Sequence, residues 1–399
     1  MPTRDPDRDL DRDLDIVLLG ATGFTGGLTA DYLARHAPAD LRWALAGRSL
    51  DRLEAVRARL TAIDPALGEL ELIVADSGDR ASLDALAQRT AVVATTVGPY
   101  LAHGEPLVAA CAAAGTAYVD LTGESEFVDR MYVAHHETAV RTGARLVHAC
   151  GFDSIPYDLG AWFTVQQLPA AVPLTLRGVV RAGGTISGGT FHSALGAMSR
   201  PRQMKEASGA RRRTEAGPEG RSSRAVGARP GRDPVLGYWL LPMPTLDPLV
   251  VARSGAALAA YGPEFRYSQY IGAKSLRYAA ATAAAMTGIG VAAQVPPLRS
   301  LLGSRIQPGQ GPGEARRERS WFQVDFVGEG GGRRVVTEVS GGDPGYGETA
   351  KMLAESALCL AFDDNPPSAG SVTTATAMAE NLVGRLVKAG IRFDVVESS

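Results

Sequence analysis

The run DIVLLGATGFTGGLTADYLARH at residues 15–36 constrains this chain more than any other segment, because it sets a glycine-punctuated turn between an apolar strand and an amphipathic helix. Ile16 to Leu19 are apolar without interruption, as a parallel strand buried on both faces requires. Gly20, Gly23 and Gly26 follow at a three-residue spacing, with Thr22, Phe24 and Thr25 between them. Glycine lets the backbone turn tightly and approach a pyrophosphate with no Cβ in the way. From about Thr25 the pattern is helical, with Leu28, Tyr32 and Leu33 on one face, so the unpaired N–H groups of the first turn point at the phosphates. The spacing is GxxGxxG rather than GxGxxG. The nucleotide reading therefore rests on the strand before and the helix after.

The next strand, Trp43 to Ala46, ends in Gly47, Arg48 and Ser49. An NAD-binding protein usually carries an acid there for the ribose hydroxyls. Here Arg48 can instead make a charge-assisted bond to a 2′-phosphate, with Ser49 as a second donor, so the expected cofactor is NADP(H). In the alternative reading, Arg48 is a solvated residue and Ser49 caps a helix running to Leu60.

At 399 residues the chain can build two domains with full cores, and a net charge of -2 gives no reason to expect a nucleic-acid partner. Cys111, Cys150 and Cys359 are too far apart for a CxxC pair, which argues against a disulfide framework or a thiolate metal site; all three are expected to be buried. The stretch DPDRDLDRDLD alternates acid and arginine and lacks the apolar core of a signal peptide. Residues 1–14 are read as a disordered tail, and the protein is expected in the cytoplasm.

Strands at 71–74, 91–97 and 117–121 alternate with helices at about 80–88 and 106–114. The fold class is therefore α/β, a doubly wound parallel sheet of Rossmann type over residues 15–150. Ligands bind such sheets at the carboxyl edge, where Gly20 to Gly26, Arg48, Asp76, Gly98, Pro99 and Tyr100 would converge. Asp76 is placed to bond the adenine amino group or to cap a helix.

Further motifs extend the pattern: VGPY at Val97–Tyr100, YVDLTGE at Tyr118–Glu124, GFDSIPYDLG at Gly151–Gly160, and GGDPGYGETAKMLAESALCL at Gly341–Leu360. Together with GATGFTG and the AGR turn, they resemble the saccharopine dehydrogenase-like oxidoreductases, and within these the branch that includes the mycobacterial trans-acting enoyl reductases. The resemblance is specific in the N-terminal half and loose from about Ser199 to Arg319. It implies a second α+β domain over the nicotinamide, taken as 151–340, and a C-terminal segment, 341–399, packing back on the first domain.

Residues 200–234 hold ten Lys or Arg against four acids and almost no bulky apolar side chains, the composition of a mobile basic loop. Such a loop is either a solvated insertion or an attractor for an anionic carrier, headgroup or CoA tail. Residues 278–295 are apolar mainly through alanine and are broken by Gly288 and Gly290, so a spanning helix is not expected. A buried helix is the favoured reading. Lys274, Arg277, Arg299 and Arg305 flank the segment, which keeps open peripheral contact with lipid.

For chemistry, the cofactor would carry a hydride while the protein orients a substrate and manages one proton. Tyr100 and Asp153 are the candidate catalytic residues, with Tyr100 donating a proton or stacking on the ring. Asp120, Glu124, Ser154 and Tyr157 are candidate pocket residues. Simpler roles compete: Asp153 or Ser154 as the cap of the helix begun by Pro156, and Asp120 as a turn residue. Tyr270 and Lys274 form YxxxK, but downstream of the βα repeat, where a catalytic pair of that kind does not belong. Adjacent His135 and His136 would diverge on a helix, no HExxH or GxSxG is present, and no metal is expected. The expected activity is NADP(H)-dependent reduction of an enoyl or keto group on an apolar, lipid- or polyketide-like substrate, free or carrier-linked. The alternatives are saccharopine-type C–N chemistry on an amino-acid adduct and a non-catalytic NADP(H)-binding sensor or interaction protein.

Overall fold

The computed structural model describes residues 12–184, 188–243, 245–305 and 312–399. The first half alternates strand and helix: β1 (Leu14–Leu19), α1 (Phe24–His36), β2 (Trp43–Gly47), α2 (Leu50–Thr61), β3 (Glu71–Val74), α3 (Arg80–Arg89), β4 (Thr90–Thr95), a short α4 (Tyr100–His103), α5 (Glu105–Ala114), β5 (Ala117–Asp120), α6 (Ser125–Thr142) and β6 (Arg145–Val147). The second half holds α7 (Ile155–Val165), β7 (Leu174–Gly183), α8 (Gly188–Ser199), α9 (Pro201–Thr214), β8 (Ser222–Ala225), β9 (Gly231–Arg232), β10 (Trp239–Pro242), α10 (Asp247–Ala257), β11 (Glu264–Ala273), α11 (Leu276–Gln294) and α12 (Pro296–Arg305). It closes with α13 (Glu314–Arg317), β12 (Trp321–Gly330), β13 (Arg333–Gly341), α14 (Gly347–Phe362), β14 (Gly370–Val372), α15 (Thr374–Lys388) and β15 (Arg392–Ser398).

The first sheet is parallel throughout, in the order β14-β6-β5-β4-β1-β2-β3. Every residue of β1 and β2 is buried, as an inner strand covered on both faces requires. Strand order reverses between β1 and β4, and the crevice at that switch point opens above the carboxyl ends of the strands. The second sheet is mixed, in the order β15-β13-β12-β7-β11-β10-β9, with β8 also pairing β11. Helix α7 lies against β12 and β13 and leads from one sheet to the other. The three cysteines are free and buried.

Four segments differ from their sequence reading. Of the expected tail, residues 1–11 lie outside the described residues, whereas Arg12 is anchored by bonds to the Ala114 carbonyl at 2.7 Å and the Thr116 hydroxyl at 2.5 Å, and Leu14 opens β1. The basic stretch 200–234 is no mobile loop: it forms α9, β8 and β9, because acids elsewhere in the fold pair with its arginines. Arg200 holds Glu126 by two 2.8 Å bonds, and Arg211 is buried against Asp129 at 2.5 Å. Helix α11 is not a core helix, since only Ala279 and Ala293 are buried along its 19 residues. The C-terminal segment divides its contacts: α14 and β14 join the first layer, but β15 pairs with β13 of the second sheet.

Candidate active site

The turn from β1 to α1 is shaped by two glycines. Gly20 has φ +92, and a Cβ at Gly26 would run into the Gly20 carbonyl. Helix α1 begins at Phe24 behind Gly23, with no side-chain cap and no acid in its first turn. The N–H groups at its start therefore remain available to an anion, and the helix dipole favours one there. This turn forms one wall of a cavity of about 950 Å³ that also touches Thr22, Thr25, Val97, Gly98 and Pro99. Arg48, just before α2, and Arg52, in its first turn, line the same cavity, and neither guanidinium has an ion-pair partner among the described residues. A dinucleotide phosphate fits this cradle: close backbone approach, free N–H donors and two unpaired guanidinium groups.

The remaining candidates at this end play other parts. Ser49 does not line the cavity; its hydroxyl accepts from the Arg52 N–H at 3.4 Å as the N-cap of α2. Asp76 does not line it either, because its carboxylate accepts the Gly78 N–H at 2.8 Å and closes a turn, while Ala75 and Ser77 face the space. Arg52 escaped the sequence reading although its signal was present, a second cation four residues after Arg48.

The other end is built by the loop before α7, by α8 and by the C-terminal motif, through Gly151, Phe152, Asp153, His192, Ser193 and Tyr346. Asp153 is half-buried on the cavity wall, and its carboxyl makes no hydrogen bond among the described residues. Loss of solvation pushes its pKa up to about 6. Tyr100 presents its ring to the cavity, but its hydroxyl donates to the Thr95 carbonyl at 3.2 Å and accepts from the Leu121 N–H at 3.1 Å. Burial raises its pKa well above the ordinary phenol value. Tyr100 thus lines the cavity while its hydroxyl is engaged by backbone groups on both its donor and acceptor sides. Glu124 lines the cavity with its carboxylate tied to the N–H groups of Tyr100 and Leu101 at 3.1 and 2.9 Å.

Three further candidates do not reach the cavity. Asp120 is fully buried and accepts from Tyr118, Thr122 N–H and Ala149 N–H while facing His148 at 2.7 Å, so it knits the ends of β5 and β6 together. Ser154 and Tyr157 are buried behind the wall, and their hydroxyls lack partners among the described residues. Tyr270 lies within β11 and Lys274 just beyond it, so the YxxxK spacing spans an extended segment and brings no pair together. His136 accepts the Ser371 N–H at 3.1 Å, His135 faces Glu105 at 3.7 Å, and no metal-binding cluster occurs among the described residues. His192, Ser193 and Tyr346 were missed because only the tertiary fold brings α8 and the loop before α14 to this edge.

A doubly wound sheet with an anion-ready glycine turn and unpaired arginines after β2 defines a dinucleotide-dependent oxidoreductase. Residues 16–147 match the family model of the saccharopine dehydrogenase NADP-binding domain, and the cofactor is NADP(H). A trans-acting enoyl reductase of Mycobacterium ulcerans is 36% identical over 408 residues, covering 94% of this chain and 96% of its own. A Mycobacterium tuberculosis protein assigned provisionally the same role is 40% identical over 411 residues, with the same coverage. Saccharopine dehydrogenase (L-Glu forming) from Saccharomyces cerevisiae aligns with a TM-score of 0.54 at 13% identity, over 97% of this chain and 100% of that one, a likeness of fold alone. The chain belongs to the trans-acting enoyl reductase family and is an NADP(H)-dependent oxidoreductase.

Proposed function

We propose that this chain reduces a carbon–carbon double bond conjugated to a carbonyl in an apolar, lipid- or polyketide-like acyl substrate, with Asp153 delivering the proton. The observation that carries the reading is an unengaged carboxyl on the cavity wall, held protonated up to about pH 6 by its surroundings. Such a reduction places a hydride on the β carbon and a proton on the α carbon; bound NADPH supplies the hydride. Gly20 to Gly26 would hold its pyrophosphate, and Arg48 with Arg52 its 2′-phosphate. Asp153 holds a proton on its carboxyl oxygen, while Phe152, Leu121, Ala197 and Met204 supply apolar walls for an acyl chain. The names of the relatives point to the same reaction.

Chemistry on an amino-acid adduct fits less well. The cavity-lining arginines are Arg48, just before α2, and Arg52, in its first turn, so among the described lining residues no arginine stands beside Asp153 to clamp substrate carboxylates. The test is NADPH oxidation with a long-chain enoyl thioester, a ketoacyl thioester and saccharopine. Turnover of the enoyl substrate, lost in Asp153→Asn with NADPH affinity intact, is expected. Turnover of only the keto or amino-acid substrate would overturn the proposal.

A further inference from the structure

We infer that the arm formed by α11 and α12 docks this protein on an anionic lipid surface. Leu276, Tyr278, Val291 and Leu298 are exposed along it, Tyr278 to 69% and Val291 to 62%. A helix so apolar and so little covered lacks its partner in the monomer. No helix among the described residues is long and apolar enough to cross a membrane, so the arm would lie on a surface.

Charge selects the partner. From 274 to 305 the chain contains no Asp or Glu, while Lys274, Arg277 and Arg299 have no ion-pair partner among the described residues. The elements packed beneath do not compensate them: α8 and β10 carry no acid, and Glu264, at the far end of β11, pairs with Arg224 and Arg266. A second copy is a poor occupant, because a two-fold contact would set this acid-free basic patch against itself. An anionic bilayer supplies both an apolar boundary for the exposed side chains and counter-charge for the rim. Helix α8 packs against the arm and also lines the cavity through His192 and Ser193, so one helix joins the docked surface to the cavity wall. The inference rests on exposure and charge, and holds whichever apolar substrate the cavity takes.

The experiment is co-sedimentation of the full chain with phosphatidylcholine vesicles, with and without phosphatidylglycerol, at low and high salt. Binding is expected to need the anionic lipid and to weaken with salt. Tyr278→Asp combined with Val291→Asp should abolish it, and Lys274→Glu should weaken it by about fivefold or more, a cation at such a surface contributing about 1 kcal/mol. Both variants should keep wild-type NADPH affinity, which shows that they fold. Absence of a phosphatidylglycerol preference, or full binding by these folded variants, overturns the inference. So does light scattering that finds a wild-type dimer made monomeric by the Tyr278→Asp, Val291→Asp pair, since the face would then bind a second copy.

Discussion

Arg48, just before α2, and Arg52, in its first turn, both line the cavity, and on the proposed reading each would offer a charged donor to a 2′-phosphate. A hydrogen bond to a charged group is worth about 1.5 kcal/mol when solvent is close, so Arg48→Ala should weaken NADPH about tenfold and leave NADH nearly unchanged. The double variant with Arg52→Ala should erase the preference, as read by calorimetric titration; equal loss for both cofactors would show that the arginines do not read the phosphate. Asp153 has a pH signature. Its carboxyl is raised to about 6, so the protonated form exists below that value and disappears above it. The rate kcat/KM should therefore fall as pH rises through about 6. In Asp153→Asn that limb should vanish and the rate should drop by about 10²-fold or more, the usual contribution of a placed proton donor. Stability follows the same sign. The folded pKa lies above the unfolded one, so ionisation costs the fold nothing below about pH 4 and most above the folded pKa. Asp153→Asn should then be more stable than wild type at pH 8 by about 1–2 kcal/mol and equal at pH 4, as read by denaturant melts. Which polar residues face the cavity was only partly legible in the sequence. Gly20, Gly26 and Arg48 have roles set by the chain next to them, whereas Ser154 and Tyr157 share a motif with Asp153 and yet are buried in the packed interior, a choice made by the packing of α7 rather than by local spacing, and Asp120 is drawn inward by its bonds across β5 and β6.

Among the elements, the βα units were legible because their signals are local: an unbroken apolar strand, a glycine or acid at its end, and an amphipathic helix after it. Helices α9 and α11 were misread for opposite reasons. The sequence 200–234 looks solvated because its charges find their partners across the fold, Arg200 on Glu126, Arg211 on Asp129, and Glu215 on Arg253. The stretch 276–294 looks like core because apolar composition cannot say whether anything covers it. Burial pushes the Asp129 carboxyl up and the Arg211 guanidinium down, so desolvation opposes this pair even as their attraction holds it. Removing one partner leaves the other charged and buried. Arg211→Met should therefore cost about 3 kcal/mol in chemical denaturation and release α9 from α6, while Arg211→Met combined with Asp129→Leu should recover most of that loss. If the single substitution costs less than about 1 kcal/mol, α9 is held by apolar contacts and the ion pair is incidental.

At the scale of the molecule, one continuous apolar core joins the two sheets. It runs from Ile16 and Leu18 of β1 through Tyr157 and Leu159 of α7 to Val324 and Phe326 of β12, and takes in Leu358 of α14 and Leu382 of α15. A buried carboxylate reinforces the junction: Asp158 of α7 accepts from Ser254 of α10 at 2.5 Å and from Thr374 and the Ala375 N–H of α15 at 2.7 and 2.8 Å. Neither sheet can open without exposing the layer it shares with the other, so the chain should unfold in one transition. NADP(H) separates this from independent unfolding. At a hundred times its Kd, a ligand that binds only the folded state adds about 2.7 kcal/mol, wherever on the molecule it makes its contacts. Unfolding entropy is about 2.1 cal/mol/K per residue, so spread over all 399 residues that gain raises Tm by about 3 °C in a single calorimetric peak. Confined to residues 16–147, which carry the glycine turn and both arginines, the same gain would move one of two peaks by about 10 °C and leave the other in place. A single peak moving by the smaller amount would mean that the cofactor stabilises the substrate-facing half of the cavity through the shared core. Two peaks would mean that α7 and Asp158 do not couple the halves, and Asp158→Ala would then leave the upper transition unchanged.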